Sequence, residues 1–242
     1  MGRGPSIENR KSAEDARRGK LFTKLIREIT VAARGGGDPA GNPRLRAAMD
    51  KALSANMTKD TVERAIKRGS GAAGGEQLEE ARYEGYGPGG AAILVECLTD
   101  NRTRTVGEVR HAFTHNGGNL GADGSVAYLF KRLGVAGFET GRDDALAERI
   151  LDAALDAGAD DVVTADGYTE VLSAPEAFEG VRKGLAGKGL QPLKADVAWH
   201  AATTIAVQGA QAEALAGLIH ALEELDDVQH VYTNASFQAR AA

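Results

Sequence analysis

The sequence predicts a multi-domain α plus α/β protein. A small basic helical bundle comes first, followed by two ferredoxin-like α/β domains, the second inserted in the first. Three observations lead there. Up to Gly69, apolar residues recur at helical spacing. From Ala91 onward, short apolar runs alternate with helical segments. Charge divides near the same place: residues 1–75 carry sixteen Lys and Arg against eight Asp and Glu, and residues 76–242 carry thirteen against twenty-six.

Residues 1–9 read as loose, punctuated by Gly2, Gly4 and Pro5. A helix is expected from about Ser6 or Asn9, with a break at Gly19 before a long amphipathic segment ending near Arg34. In that segment Leu21, Phe22, Leu25, Ile26, Ile29, Ala32 and Ala33 share one side, and Lys20, Lys24, Arg27 and Arg34 the other. Only Val31 interrupts the cationic side. Gly35-Gly36-Gly37 stops the helix. Asn42-Pro43 starts another, with Asn as cap and Pro in the first turn. Thr58 or Thr61 caps a third that ends at Gly69. Residues 69–78, GSGAAGGEQL, read as a flexible linker.

Beyond the linker the expected order is strand Ala91–Leu98, helix Thr103–His115 and strand Ser125–Lys131, one βαβ half. A βαββαβ run follows: strand Val135–Glu139, helix Asp143–Ala157, strands Asp161–Thr164 and Thr169–Ser173, helix Pro175–Ala186, strand Lys194–His200. Ser173 to Glu176 reads as a capping box for the second of these helices. Strand Thr204–Val207, helix Ala210–Glu224 and strand Val228–Tyr232 form a last βαβ half. Each half alone leaves a sheet edge uncovered, so the first is expected to join the last. The expected domains are therefore residues 1–75, residues 79–132 with 202–238, and residues 133–201.

A hydrophobic fraction of 43% allows real cores. Cys97 is the sole cysteine, which rules out an intramolecular disulfide and a cysteine-based zinc site. No apolar run approaches the ~20 residues of a membrane span, and MGRGPSIENRK lacks the apolar core of a signal peptide. A cytoplasmic location is expected.

The net charge of −5 averages a basic head with an acidic remainder, a pattern of polyanion binding by the head. The candidate nucleic-acid-binding residues are Lys11, Arg17, Arg18, Lys20, Lys24, Arg27, Arg34, Arg44 and Arg46. A plain solvated helix face is the competing reading, and the charge asymmetry weighs against it. The loop YEGYGPGG offers Tyr83, Tyr86, Gly87 and Pro88 as a partner-binding surface. Its glycines suit a strained turn better than a phosphate cradle, because a strand rather than a helix follows. Arg102 and Arg104 open a helix where the dipole disfavours cations, and pairing with acidic residues of the same domain is expected. His111 and His115 stand four apart, but no third ligand accompanies them, so no metal, cofactor or catalytic residue is expected.

The segments RRGKLFTKLIREITVAARGGGDPAGNPRLRAAMDKA, NMTKDTVERAIKRG, YEGYGPGGAAILVECLTDNRTRTVGEVRHAF and GGNLGADGSVAYLF together resemble the YebC/PmpR family. The resemblance is specific from Lys11 to about Phe130 and looser to Ser236. It implies a helical domain plus two α/β domains and no known catalysis. It also implies transcriptional regulation through DNA binding or, alternatively, ribosome-associated translation, relieving stalling at proline-rich stretches through RNA. At the N-terminal tip this chain departs: Gly4 stands where the family carries Trp, and Glu8 and Asn9 replace Lys and His. Acidic α/β domains would meet protein partners; duplex DNA and folded RNA both suit the basic head.

Overall fold

The computed structural model describes residues 5–71, 78–165 and 167–237, and side chains from residue 17 onward. The tip substitutions at Gly4, Glu8 and Asn9, and most of the expected linker, lie outside these described residues or side chains. The chain divides into two compact units: residues 1–126 with 206–242, and residues 127–205.

The first unit opens with helix α1 (Pro5–Ala32). The break expected at Gly19 is absent. One glycine inside a helix costs only about 1 kcal/mol relative to alanine, and Arg17, Arg18, Lys20 and Leu21 around it are good helix formers. A 3-10 turn (Ala33–Gly35) and Gly36, at φ 131°, end it. Helix α2 (Pro43–Ser54) starts at Asn42, whose side chain accepts from Leu45 N at 3.0 Å. The same amide donates to Ala32 O at 2.7 Å and Gly36 O at 2.8 Å, so one buried side chain closes the turn between two helices. Helix α3 (Lys59–Gly69) is capped by Thr58. Leu25, Ile29, Leu45, Ala52, Met57 and Val62 form the bundle core. A Cβ at Gly69 would fall 2.1 Å from Thr30 O, so a glycine lets α3 end against α1. The C-terminal ends of α1 and α3 and the N-terminal end of α2 thus gather at one end of the bundle.

Strands β1 (Glu79–Tyr86) and β2 (Ala92–Thr99) form a hairpin. Strand β1 was not expected: glycines and charges hide its alternation, and residues Tyr83–Tyr86 belong to it rather than to a loop. The turn is confined to Gly87–Ala91, where Gly89 and Gly90 take positive φ. A strand therefore both precedes and follows the glycine turn. Helix α4 (Arg102–His115) and the short strand β3 (Asn119–Leu120) follow. Of the expected strand Ser125–Lys131, only Phe130 and Lys131 take strand conformation. Val126 N donates to the carboxylate of Glu84 at 2.9 Å, and Gly121 N to Glu84 O at 2.8 Å, so this segment is pinned to β1 by single bonds instead of a ladder.

In the second unit a 3-10 turn (Ala127–Leu129) leads to β4 (Phe130–Glu139), then α5 (Asp144–Asp156), β5 (Asp161–Ala165), β6 (Tyr168–Ser173), α6 (Phe178–Gly187) and β7 (Lys194–Ala201). The sheet order is β5-β6-β4-β7, and every neighbouring pair is antiparallel. The capping box expected at Ser173 does not form. Ser173 pairs with Gly134 in the sheet, and α6 begins after Ala177 with no side-chain cap.

The chain returns to the first unit through β8 (Ile205–Val207), α7 (Gly209–Glu223), β9 (Val228–Thr233) and β10 (Ala235–Phe237). The main sheet runs β3-β1-β2-β9, entirely antiparallel, and β8 pairs with β10 separately. Helices α4 and α7 cover one face: a Cβ at Gly85 would strike Phe113, and one at Gly87 would strike Leu215. Among the described residues no helix is long and apolar enough to cross a membrane.

Asn42→Ala should remove the α2 cap and leave two carbonyls without their donor, lowering stability by about 2 kcal/mol. Urea unfolding with an unchanged denaturant slope checks it.

Candidate nucleic-acid interface

Lys20, Lys24, Arg27 and Val31 follow one another at steps of four, three and four residues, so they form a single line along α1. The structure lays this line against the C-terminal end of α7. A helix end of this kind presents carbonyls without intrahelical donors and the negative pole of the helix dipole. Lys24 Nζ donates to Glu223 O at 2.8 Å. Lys20 binds the Glu224 carboxylate and reaches Glu224 O at 3.4 Å. Arg27 donates to Asp226 O and places Nη1 2.7 Å from Asp227 Oδ1. Val31, which interrupts the cationic side in sequence, is buried with Leu78 and Leu98. Lys20, Lys24 and Arg27 are therefore not a free cationic row. They dock the bundle onto the α/β part of the same unit.

Asp227 anchors this seam. Its side chain is 1% exposed. Oδ2 accepts from Thr105 Oγ1 at 2.6 Å, Arg104 Nη2 at 2.7 Å and Thr99 Oγ1 at 3.0 Å. Oδ1 meets Arg27 as an ion contact rather than as an aligned hydrogen bond. Burial pushes the carboxyl upward, but the bonds from Thr105 and Arg104, the charge of Arg27 and the bond from Thr99 outweigh it and hold it below the usual range. Arg104 bonds Asp100 as well, at 2.7 Å. The unexpected arginine at the start of α4 is thus paired with acids of its own unit. Arg102 lies 3.9 Å from Glu79.

The remaining candidates separate into groups. Lys11 lies outside the residues whose side chains are described. Arg17 and Arg18 are exposed, and Arg18 sits 5.3 Å over the Phe22 ring. Arg44 pairs with Glu80 at 2.5 Å. Arg34 and Arg46 are exposed and have no ion pair among the described residues. Lys67 and Arg68 share that state in the last turn of α3. These two were missed from the sequence. A Cβ at Gly37 would stand 3.4 Å from Ser70 Cβ, which brings the glycine turn and the end of α3 together. Arg34, Arg46, Lys67 and Arg68 consequently gather at the same end of the bundle. That grouping depends on Gly37 meeting Ser70, a contact without local sequence signal.

Tyr83 and Tyr86 are tied down by their hydroxyls, which donate to Arg102 O at 3.4 Å and Ser125 O at 2.9 Å. Gly87 is buried, and Pro88 opens the 3-10 turn of the hairpin. His111 and His115 stack at 5.6 Å beside a shallow depression between α4 and α7. Among the described residues no group of three or more His, Cys, Asp or Glu is placed to hold a metal.

Comparison with known proteins decides the family. Residues 4–72 match the model of the TACO1/YebC N-terminal domain, and residues 78–235 match that of the TACO1/YebC second and third domains. The chain belongs to the TACO1/YebC family. A relative in Xanthomonas oryzae, called a probable transcriptional regulatory protein, is 59% identical, with the whole of both chains covered. One of the same description in Methylococcus capsulatus is 61% identical over 95% of this chain and 92% of its own. A crystal structure of a conserved hypothetical protein from Aquifex aeolicus superposes with a TM-score of 0.83 at 45% identity, covering 93% of each chain. The mixed helix-and-sheet architecture is shared with this solved structure.

Asp227→Ala should cost about 3–5 kcal/mol, because it takes the carboxylate from the largely buried Arg27 and the acceptor from the buried hydroxyls of Thr99 and Thr105. The depressed carboxyl gives a sign to the pH dependence. Its contribution is full above the unfolded carboxyl range near ~4 and is lost as pH falls through the lower folded value. Acid unfolding of Asp227→Asn should therefore lack part of the wild-type pH dependence, followed by circular dichroism.

Proposed function

We propose that this protein is a cytoplasmic regulator of transcription that binds DNA through the basic helical bundle and acts by binding rather than catalysis. The observation that carries the reading is that Arg34, Arg46, Lys67 and Arg68 lie on the elements that meet at one end of the bundle, exposed and without carboxylate partners among the described residues. Cations in that state bind phosphate oxygens without first breaking an internal ion pair. Without side chains, the glycines of the turn allow close approach of a phosphate chain to the backbone. Four phosphate contacts give affinity and register but no base readout, so the bundle would grip DNA with little sequence preference of its own. The regulatory description borne by relatives at 58–61% identity supports the same reading. The acidic α/β units would orient the bundle and meet protein partners.

The strand order β5-β6-β4-β7 with α5 and α6 supports reading residues 127–205 as a ferredoxin-like insert. The first unit departs from that plan, because the β1–β2 hairpin takes the place of a simple βαβ half.

Binding to promoter fragments should weaken with salt at a log–log slope of roughly −3 to −4 for about four neutralised phosphates. Replacing Arg34, Arg46, Lys67 and Arg68 by Gln should make that slope markedly shallower and weaken binding without changing thermal stability. A salt-independent wild type would refute the reading. Cosedimentation with ribosomes in the absence of promoter binding would make RNA the target.

A further inference from the structure

The α1–α7 seam is graded. At its inner end Arg27 and Asp227 are 18% and 1% exposed, and the carboxylate holds four side chains together. At its outer end Lys20 and Glu224 are 40% and 50% exposed. Lys24 stands between them and bonds a backbone carbonyl. Ion pairs as exposed as the outer one contribute little and are screened by salt, whereas a buried pair that loses one partner is far more costly to break. The inner end is thus a fixed joint and the outer end an exchangeable contact. Arg17 lies almost one turn before Lys20 on the same helix and is exposed, so a line of cations leads along α1 from open solvent into the seam.

We propose that the outer seam exchanges partners: Lys20 and Lys24 are held by the C-terminal end of α7 in the free protein and by nucleic-acid phosphates in the complex. Glu224 is then an internal competitor for the polyanion. Phosphates that take over Lys20 leave Glu224 and the last carbonyls of α7 to water, while Arg27, Asp227, Arg104 and Val31 keep the bundle attached. Binding at the bundle and loosening of the α7 C-terminus become one event, and a surface occupied in the free protein adds to the four cations of the exposed cluster. This rests on the nucleic-acid reading above.

The test compares full-length wild type, Glu224→Gln and Glu213→Gln for binding to a short random-sequence DNA duplex over a salt series. Glu213 is an exposed acid at the other end of α7, so its substitution makes the same change in net charge away from the seam. Glu224→Gln should bind about 3- to 10-fold more tightly at low salt and steepen the slope by about one phosphate, and Glu213→Gln should match the wild type. Equal affinity and slope for wild type and Glu224→Gln, with the wild type still salt-dependent, overturn the exchange alone. Equal gains in both variants also overturn it, as a net-charge effect. A salt-independent wild type overturns the nucleic-acid reading and the exchange with it.

Discussion

The arrangement of the first unit depends on the carboxylate of Asp227. It lies one residue before β9, beyond the end of α7, and it draws together Arg27 of α1, Thr99 at the end of β2, and Arg104 and Thr105 of α4. A buried carboxylate is costly to desolvate, and it is tolerated here because both oxygens are engaged and two guanidinium groups neutralise the charge. The main chain joins in: Leu98 N donates to Asp227 O at 2.8 Å. Segments far apart in sequence meet at one residue, so the basic bundle has a defined place on the sheet rather than a loose tether.

That constraint explains the composition of α1. Both of its sides are committed. One carries Leu25 and Ile29 into the bundle core, and the other carries Lys20, Lys24, Arg27 and Val31 onto the α/β part. Helix α7 ends just where these cations arrive, and its last carbonyls supply acceptors that water would otherwise satisfy. Positive charge on α1 therefore serves the architecture of the protein first. The charge left over for an outside polyanion sits at the end of the bundle, where the glycine turn of residues 35–37 meets the last turn of α3.

A second buried carboxylate works in the same way on a smaller scale. Glu84 is 2% exposed within β1, lies 3.4 Å from Arg82 Nε and accepts from Val126 N. It holds the Gly121–Val126 segment close to the sheet where a strand would otherwise be needed. Buried acids fasten irregular backbone in both places, and both belong to stretches that read as loops or charges when viewed along the chain.

Local rules were sufficient for much of this protein. The Asn42-Pro43 and Thr58 helix starts, the buried strand at Ala92–Thr99 and the order of strands and helices from Val135 to His200 follow from capping chemistry and hydrophobic period, which act over a few residues. The concentration of positive charge in the first 75 residues is likewise a property of sequence alone. The direction in which that charge faces was decided by tertiary structure. Lys20 and Lys24 meet acceptors about 200 positions away, and Lys67 and Arg68 join Arg34 through one close glycine contact. Strand β1 was hidden for a related reason: Gly85 is there to admit the Phe113 ring, so the residue that marks a turn locally marks close packing in the fold. Electrostatic partners and close backbone approaches are set by which surfaces meet, and no periodicity along one chain encodes that.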